Sequence, residues 1–378
     1  MILRNACYYE FPNTIGHWRL SGLSLDRINL LVGKNATGKT RTLNLIDNIG
    51  TLILRGIPAL YPHTGCYYSE FSDNSDIYKY TLELSSNKII NEELLFNKKI
   101  MLERKENGVG KIYASKEGKM IDFQIPEGRP ALFSRQDIIQ YPYLQKLYEW
   151  AENLRVYHFG EYLGRDKGLS IYIEDTSVIP IPNSEDVVWF FKQAIKQFGN
   201  DFEKQILEKM RMLGYNLTKL WVNPYISPYN GRALQVLCAM EDHRDDLLFQ
   251  TQMSQGMFRT LSLLIQVTNN IMKGVFTTIL IDDIGEGLDF ERSAKLINLL
   301  IELAENNDNI QLIMSTNDRF VMNNVPFKYW QLIDRQGGKC TIYNYQNSKE
   351  VFDEFKYTGL NNFDFLATDF IHAERIKN

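Results

Sequence analysis

One short motif constrains the fold of this 378-residue chain more than any other feature. Residues 33–40 read GKNATGKT, a complete phosphate-binding loop of the form GxxxxGK(S/T). The loop follows an apolar run at 28–32 and leads into 41–46, where the apolar positions have helical spacing. A strand before the loop and a helix after it are the structural context that the motif requires. The sequence therefore predicts an α/β fold of the P-loop type that binds a nucleoside triphosphate.

The loop and the start of its helix predict how the triphosphate is held. Successive backbone N–H groups at a helix N-terminus, together with the helix dipole, bind phosphate oxygens. The ammonium of Lys39 is expected to reach the β- and γ-phosphates, and the hydroxyl of Thr40 is expected to bind Mg²⁺. The residues predicted to contact the nucleotide here are Gly33, Asn35, Ala36, Thr37, Gly38, Lys39, Thr40 and Arg41.

A second strand, in the C-terminal half of the chain, ends in two carboxylates. Residues 275–281 form a continuous apolar and β-branched run, and Asp282 and Asp283 follow directly. A carboxylate at the end of a strand beside the phosphate-loop strand is where a second Mg²⁺ contact lies. We predict that Asp282 binds the metal and that Asp283 polarises the attacking water. The alternative for an acidic pair after a strand is a helix N-cap.

A third motif lies between the first two. Residues 253–256 read MSQG and precede an apolar helix. Ser254 could bind phosphate through its hydroxyl, and Gly256 could expose its N–H because it has no side chain. Alone, the pattern is weak, because serine is a common helix cap. Its position before the strand, the two aspartates and the GEGLD sequence at 285–289 strengthens the functional interpretation.

The order of these motifs resembles that of the ABC-class ATPase heads, the superfamily of ABC transporter motors, SMC proteins, RecF and the OLD and Septu ATPases. The resemblance covers residues 26–50 and 250–320. It implies a mixed sheet with an antiparallel β region, ATP and Mg²⁺ as cofactors, and two heads that sandwich two nucleotides in a head-to-tail dimer. The residues that it places at the partner's nucleotide are Ser254, Gln255, Gly256 and Asp289.

Two positions depart from that family. Relatives commonly have glutamate where this chain has Asp283, and histidine where it has Asn317 after the apolar run 310–314. Aspartate reaches about 1.5 Å less far, and a misplacement of that size can cost about a hundredfold in rate. Asn317 can donate a hydrogen bond to a γ-phosphate oxygen but carries no charge. We therefore expect ATP hydrolysis that is slow or dependent on a partner.

The motifs do not assign two contacts of the site, the glutamine at Mg²⁺ and the residue that contacts adenine. The resemblance implies a glutamine that senses Mg²⁺, and Gln136 is our candidate for it. The contact to adenine is less defined, because several aromatic residues before the loop could stack on the base or pack in the core. These residues are Tyr8, Tyr9, Phe11 and Trp18.

The remaining segments predict the domain organisation. The assignments are an ABC-type core at 1–56 and 233–347, an antiparallel β region at 66–134, an inserted and largely helical lobe at 137–232, and C-terminal helices at 348–378. The lobe is expected to be α/β, and within it we predict a strand at 154–159 and helices at 187–198 and 202–212. No sustained heptad pattern is present, so no coiled coil is expected.

Composition narrows the class of protein. The chain is 44% hydrophobic and 23% charged, which is ordinary for a globular protein. No run approaches the length of a membrane span, and the N-terminus has no signal-peptide pattern, so we expect a cytoplasmic protein without membrane contact. Its four cysteines are far apart, so neither a zinc site nor a disulfide framework is expected.

Electrostatics offers little general attraction to nucleic acid, because the net charge is −4. A local basic face remains possible in the β region. Its candidate residues are Lys98, Lys99, Arg104, Lys105, Lys116 and Lys119.

Three functions are consistent with these features. The leading one is an ATP-binding, slowly hydrolysing ABC-type ATPase that dimerises, or forms a larger homo-oligomer, around ATP and controls a separate effector. Small bacterial ATPases of this architecture resemble the ATPase subunits of anti-phage systems, which implies a nuclease or toxin as effector. The alternative is a RecF-like DNA-binding ATPase in DNA repair. A transporter motor is less consistent with the long segment between the phosphate loop and the MSQG motif.

Overall fold

A mixed sheet runs through the computed structural model, which describes residues 1–56, 64–161, 163–170, 183–226, 231, 233–242 and 246–373. The strands of these residues are β1 Ile2–Glu10, β2 Trp18–Ser24, β3 Ile28–Val32, β4 Gly65–Asp73, β5 Asp76–Ser85, β6 Lys88–Phe96, β7 Lys99–Lys105, β8 Val109–Ala114, β9 Lys119–Gln124, β10 Leu154–His158, β11 Leu169–Ser170, β12 Leu217–Ile226, β13 Ala233–Glu241, β14 Leu248–Phe249, β15 Thr277–Asp282, β16 Ile310–Ser315, β17 Trp330–Gln336 and β18 Lys339–Asn344.

The helices cover both faces of the sheet. Those of the described part are α1 Lys39–Arg55, α2 Ala131–Ser134, α3 Gln145–Glu152, α4 Val187–Phe198, α5 Asn200–Met212, α6 Gln255–Lys273, α7 Phe290–Glu305, α8 Arg319–Asn324, α9 Lys349–Lys356, α10 Asn362–Ala367 and α11 Phe370–Ala373. Within that same part of the chain, no helix combines the length and apolar character needed to cross a bilayer.

The strand order confirms the predicted fold class. The main sheet runs β10-β15-β16-β3-β17-β18-β2-β1-β4-β5-β6-β7-β8-β9. Its first five strands are parallel, and β4 to β9 continue it as an antiparallel meander. This arrangement is an α/β fold of the P-loop type joined to an antiparallel β region. No coiled coil occurs in the described residues.

The parallel strands are buried on both faces, as their apolar sequences predict. Every residue of β3, β15 and β16 is buried. Ile279 and Ile281 of β15 pack in the core beneath α6 and α7, whereas Leu280 faces the core beneath α1. The helix that follows the phosphate loop therefore lies on one face of the sheet, and α6, which follows the MSQG motif, lies on the other.

The segment predicted as an inserted lobe contains both strands and helices. The strand predicted at 154–159 is present as β10 Leu154–His158, which pairs in parallel with β15 at the edge of the main sheet. In addition, β12 pairs with β13 in a second, smaller sheet. Helices α4 and α5 lie where helices were predicted.

The C-terminal helices pack as an aromatic layer against the core. The Phe365 ring stacks on Phe352 with centroids 4.8 Å apart, and it lies 5.4 Å from Phe327 in the core. Beyond this layer, the carboxylate of Asp369 forms an ion pair with Lys34 of the phosphate loop at 3.3 Å. The helical segment predicted at 348–378 is thus present up to residue 373, and residues 374–378 lie outside the described part.

A buried ion pair holds the β region to the segment that follows it. Glu92 and Arg104 are both fully buried, with 3.4 Å between Oε2 and Nη1. Glu92 also accepts hydrogen bonds from the N–H groups of Ala131 (2.8 Å) and Leu132 (3.0 Å) and from the Tyr80 hydroxyl (3.0 Å). Arg104 therefore cannot belong to an exposed basic face, and that part of the sequence prediction is wrong.

Replacement of Glu92 by leucine removes the acceptor of these four donors and should lower the free energy of unfolding by about 3 kcal/mol, measured by urea denaturation. Glu92→Gln should lower it less, because an acceptor oxygen remains and burial already raises the pKa of this carboxyl. The exposed Glu106→Gln is the control and should change stability by less than about 0.5 kcal/mol. Equal unfolding midpoints for wild type and Glu92→Leu would contradict the prediction.

Candidate active site

The phosphate loop joins β3 to α1 and turns sharply before the helix begins. Ala36 and Gly38 both lie in the left-handed region, with φ of 62° and 107°. A side chain at position 33 would lie 2.7 Å from the Ile333 carbonyl oxygen, so only glycine fits there. The first N–H groups of α1 have no partner within the helix. The loop and this helix end together form a cradle that fits phosphate oxygens.

Lys39 lies inside this cradle. Its ammonium donates hydrogen bonds to the carbonyl oxygens of Gly33 (2.9 Å) and Lys34 (3.3 Å), and the residue is buried. Burial lowers the pKa of Lys39, while the charges of Asp283 and Asp282 act to raise it. A cation held at the loop and facing two carboxylates fits the predicted contact with the outer phosphates.

The other predicted loop residues surround this ammonium. Thr37 is buried and its hydroxyl donates to the Lys34 carbonyl at 2.9 Å, so it supports the loop instead of facing a ligand. The exposed members of the predicted set are Asn35, Ala36, Thr40 and Arg41. The side chains of Thr40 and Arg41 in the first turn of α1 are thus accessible to a nucleotide.

A serine at the end of β16 links the carboxylate of Asp282 to the backbone of Asp283. The hydroxyl of Ser315, the last residue of β16, donates to Asp282 and accepts a hydrogen bond from the Asp283 N–H at 3.0 Å. The side-chain amide of Asn317 donates to Asp283 at 3.2 Å. The two aspartates and Asn317 are therefore brought together, and Ser315, which the sequence interpretation did not consider, lies among them. Its only signal was its position directly after the apolar run 310–314.

The relative position of the acid pair differs from expectation. β15 does not lie beside the phosphate-loop strand, because β16 pairs with both β15 and β3. Neighbouring strands are about 4.8 Å apart, so the acid pair is displaced by about 10 Å from β3. This spacing places Ser315 and Asn317 between the loop and the carboxylates.

The alternative interpretation of the acid pair as a helix cap is not observed. The next helix, α7, begins at Phe290 and is capped by Asp289, whose carboxylate accepts the Arg292 N–H at 2.9 Å. Hydrogen bonds from Arg292 also lower the pKa of Asp289. Asp289 thus has a structural role at the end of the 285–289 turn, and its side chain is 45% exposed.

The backbone and the surroundings of Asp283 are unusual. Its φ is 54°, a conformation that costs about 1–3 kcal/mol for a residue other than glycine. Burial raises the pKa of its carboxyl, the charges of Asp282 and Glu286 raise it further, and Lys39 lowers it. Strained backbone and raised carboxyl pKa values occur together at catalytic sites.

The MSQG motif begins α6 with a serine cap. The Ser254 Oγ accepts the Met257 N–H at 3.2 Å, and Ser254 and Gln255 are exposed. Gly256 is buried, and a side chain there would lie 2.8 Å from Leu288 Cδ2 and 2.9 Å from the Gly287 carbonyl oxygen. The glycine is therefore needed for close packing of α6 on the 285–289 turn, a reason that the sequence interpretation did not identify.

A buried arginine ties α6 to two other segments of the site. The Arg259 guanidinium donates to the carbonyl oxygens of Glu161 (2.9 Å), Glu286 (3.1 Å) and Gly160. These carbonyls belong to the turn after β10 and to the turn after the acid pair. Sequence reasoning missed Arg259, although one charged residue at the start of an apolar helix was an available signal.

Gln136 is not brought to the site, which corrects the prediction of a metal contact there. It is exposed, and nearby Phe133 packs at Gly56, just beyond the C-terminal end of α1. α1 has 17 residues and is about 25 Å long, whereas three residues span at most about 10 Å. A further polar residue beside the acid pair is His158, which ends β10 opposite Asp282.

Comparisons with known proteins agree with this geometry. The model of the family described as "AAA domain, putative AbiEii toxin, Type IV TA system" matches residues 28–323. Comparison with curated proteins finds no match. The structure resembles an Smc head bound to the C-winged helix domain of ScpA, with a TM-score of 0.55 at 11% identity over 91% of this chain and 97% of that chain. This likeness confirms the predicted head fold.

Two further solved structures are similar at lower scores. The SMC head domain from Thermotoga maritima has a TM-score of 0.44 at 13% identity, covering 91% of this chain and 99% of that chain. CbiO1 from Clostridium perfringens, part of the ABC transporter complex cbiONQ, has a TM-score of 0.40 at 13% identity. The match covers 94% of this chain and 93% of that chain.

Gly256→Ala tests the close packing between α6 and the 285–289 turn. The added methyl group would displace Leu288 or the Gly287 carbonyl, and such overpacking lowers the free energy of unfolding by about 1–3 kcal/mol. Gly16→Ala is the control, because its nearest neighbour would be 3.7 Å away. The two variants would be compared by urea denaturation, and an unchanged midpoint for Gly256→Ala would contradict the packing argument.

Proposed function

This chain belongs to the family of AAA domains described as putative AbiEii toxins of type IV toxin–antitoxin systems, and on that premise we propose that it is an ATP-hydrolysing switch of the ABC type. Two copies close around ATP, and the ATP-bound dimer controls a separate effector, a nuclease or toxin, in bacterial anti-phage defence. The defence role is our proposal; the family description, which names a toxin–antitoxin system, and the resemblance to anti-phage ATPases support it.

The position of α6 is the observation that carries the proposal. Ser254 and Gln255 are exposed at the start of α6, on the face of the sheet opposite α1 and its phosphate loop. A helix end on that face is poorly placed to contact the nucleotide of its own chain. A second copy, turned head to tail, would bring its α6 terminus to the exposed side of this chain's loop. Such an arrangement satisfies the closed two-fold symmetry of most homodimers.

Thr40 and Asp282 are the residues that would hold Mg²⁺. One is a hydroxyl and the other a carboxylate, and oxygen donors of these kinds suit this cation. The hydrogen bond from Ser315 fixes the orientation of the Asp282 carboxylate. When bound, Mg²⁺ supplies positive charge that stabilises the phosphoryl group in transfer.

Asp283 is the general base in this proposal. Its carboxylate takes a proton from the attacking water, and its raised pKa makes it a stronger base than an ordinary aspartate. Asn317 donates to this carboxylate and fixes its orientation. His158, at the end of β10, is the side chain that would hold water on the remaining side of Asp282.

Ser254→Arg tests the composite site. A monomer of this variant should bind ATP normally, because the residue is remote from its own loop, but ATP should no longer produce dimers in sedimentation or light-scattering measurements. Lys39→Ala should abolish ATP binding and therefore dimerisation as well. Ser134→Arg, an exposed serine near the far end of α1, is the matched control. ATP-induced dimers of Ser254→Arg would rule out the proposed arrangement.

The pH dependence of ATP hydrolysis tests the role of Asp283. Its raised pKa means that acidification removes the base form at a higher pH than for an ordinary aspartate. Glu286→Gln removes a neighbouring negative charge, lowers the pKa of Asp283, and should move the acidic limb of the rate profile to lower pH. Asp283→Asn should reduce turnover by about a hundredfold or more at every pH. An acidic limb that stays in place in Glu286→Gln would argue for another base.

A further inference from the structure

The guanidinium of Arg41 lies over a buried tryptophan beside the phosphate loop. Its guanidinium carbon is 4.2 Å from the centroid of the Trp18 ring, and Trp18 is only 1% exposed. Glu10 forms an ion pair with the same guanidinium. The Arg41 side chain remains 44% exposed. The indole therefore covers one side of the guanidinium, and the Arg41 side chain keeps an exposed surface, which we call its open face.

The strand order indicates where the base of a bound nucleotide lies. β15 and β16, with the acid pair and Asn317, are on one side of β3, whereas β17, β18 and β2 are on the other. The γ-phosphate must face the carboxylates and Lys39, so the nucleoside leaves the loop on the opposite side. Trp18 begins β2, and Arg41 lies over it. Arg41 therefore lies on the side of the loop toward which the nucleoside end of the ligand extends.

Three of the four aromatic residues considered from the sequence are less suited to this contact. Trp18 is covered by Arg41. The hydroxyl of Tyr8 donates to Glu10 at 2.7 Å, and that of Tyr9 donates to Glu83 at 3.0 Å, so both rings are engaged in the sheet.

From this geometry we propose that the open face of the Arg41 guanidinium is the stacking surface for the purine base. The inference rests on the proposed function, because it assumes that the loop binds ATP. Guanidinium planes stack on aromatic rings and on nucleobases. The ion pair with Glu10 offsets the charge of Arg41 and fixes its plane, so that it serves as a platform and not as a phosphate ligand. Trp18, Arg41 and the base then form three layers.

Arg41→Lys and Arg41→Gln separate stacking from charge. Binding of MgATP and of magnesium tripolyphosphate to the full chain would be measured by calorimetry, with Arg19→Lys, an exposed arginine on the same strand as Trp18, as control. Stacking predicts that Arg41→Lys binds ATP about tenfold more weakly while tripolyphosphate binding is unchanged. Arg41→Gln, which keeps a planar group without charge, should bind ATP better than Arg41→Lys.

The opposite results would overturn the inference. If Arg41 binds a phosphate, Arg41→Lys should bind ATP better than Arg41→Gln, and ATP and tripolyphosphate should weaken by the same factor in each variant. ATP binding that is unchanged in both variants would equally exclude a stacking role. Retained tripolyphosphate binding shows that the loop of a variant is folded. If the wild-type chain binds neither ligand, the nucleotide-binding function itself fails, which is a different outcome from a failure at Arg41.

Discussion

Burial of the central strands on both faces is the constraint on which the rest of this structure depends. Strands covered by helices on both sides must be nearly continuous in apolar residues, and their parallel arrangement brings all their carboxyl ends to one edge. The few polar residues within them are paired, as Gln311 is with the backbone of Leu3. Reactive groups therefore have to stand just beyond the strands, where the phosphate loop, the acid pair and Asn317 are found.

The same burial places the two helix ends that we propose to bind phosphate on opposite faces of the sheet. α1 and α6 share the edge at which the strands end, but the sheet itself separates them. One chain therefore presents a loop on one face and a serine-capped helix on the other, and neither alone surrounds a nucleotide. Under the proposed function, ATP affinity is higher in the dimer than in the monomer, and this difference is what allows ATP to shift the assembly equilibrium.

Much of the fold and of the site could be predicted from the sequence, because local patterns specify β3, α1, β15 and the residues that end them. What could not be predicted depends on contacts between distant segments. No local pattern distinguishes Ser315 or Arg259 in the sequence. The fold brings Ser315 to Asp283 and Arg259 to the 285–289 turn. The prediction that Gln136 contacts Mg²⁺ rests on its residue type alone, whereas its segment packs near the far end of α1. Sheet order and the packing of distant segments are tertiary information, which a single sequence does not contain.

Under the proposed function, the conformation of Asp283 favours a long-lived ATP-bound state over rapid turnover. Its backbone is strained, its carboxylate is held by Asn317, and aspartate reaches less far than glutamate. Each of these features limits how freely the base can approach an attacking water, and a barrier higher by 2.7 kcal/mol slows the chemical step by about a hundredfold. For a motor, that loss would be a defect. For a switch whose output is the ATP-bound dimer, slower chemistry prolongs the signalling state, and the effector has more time to respond.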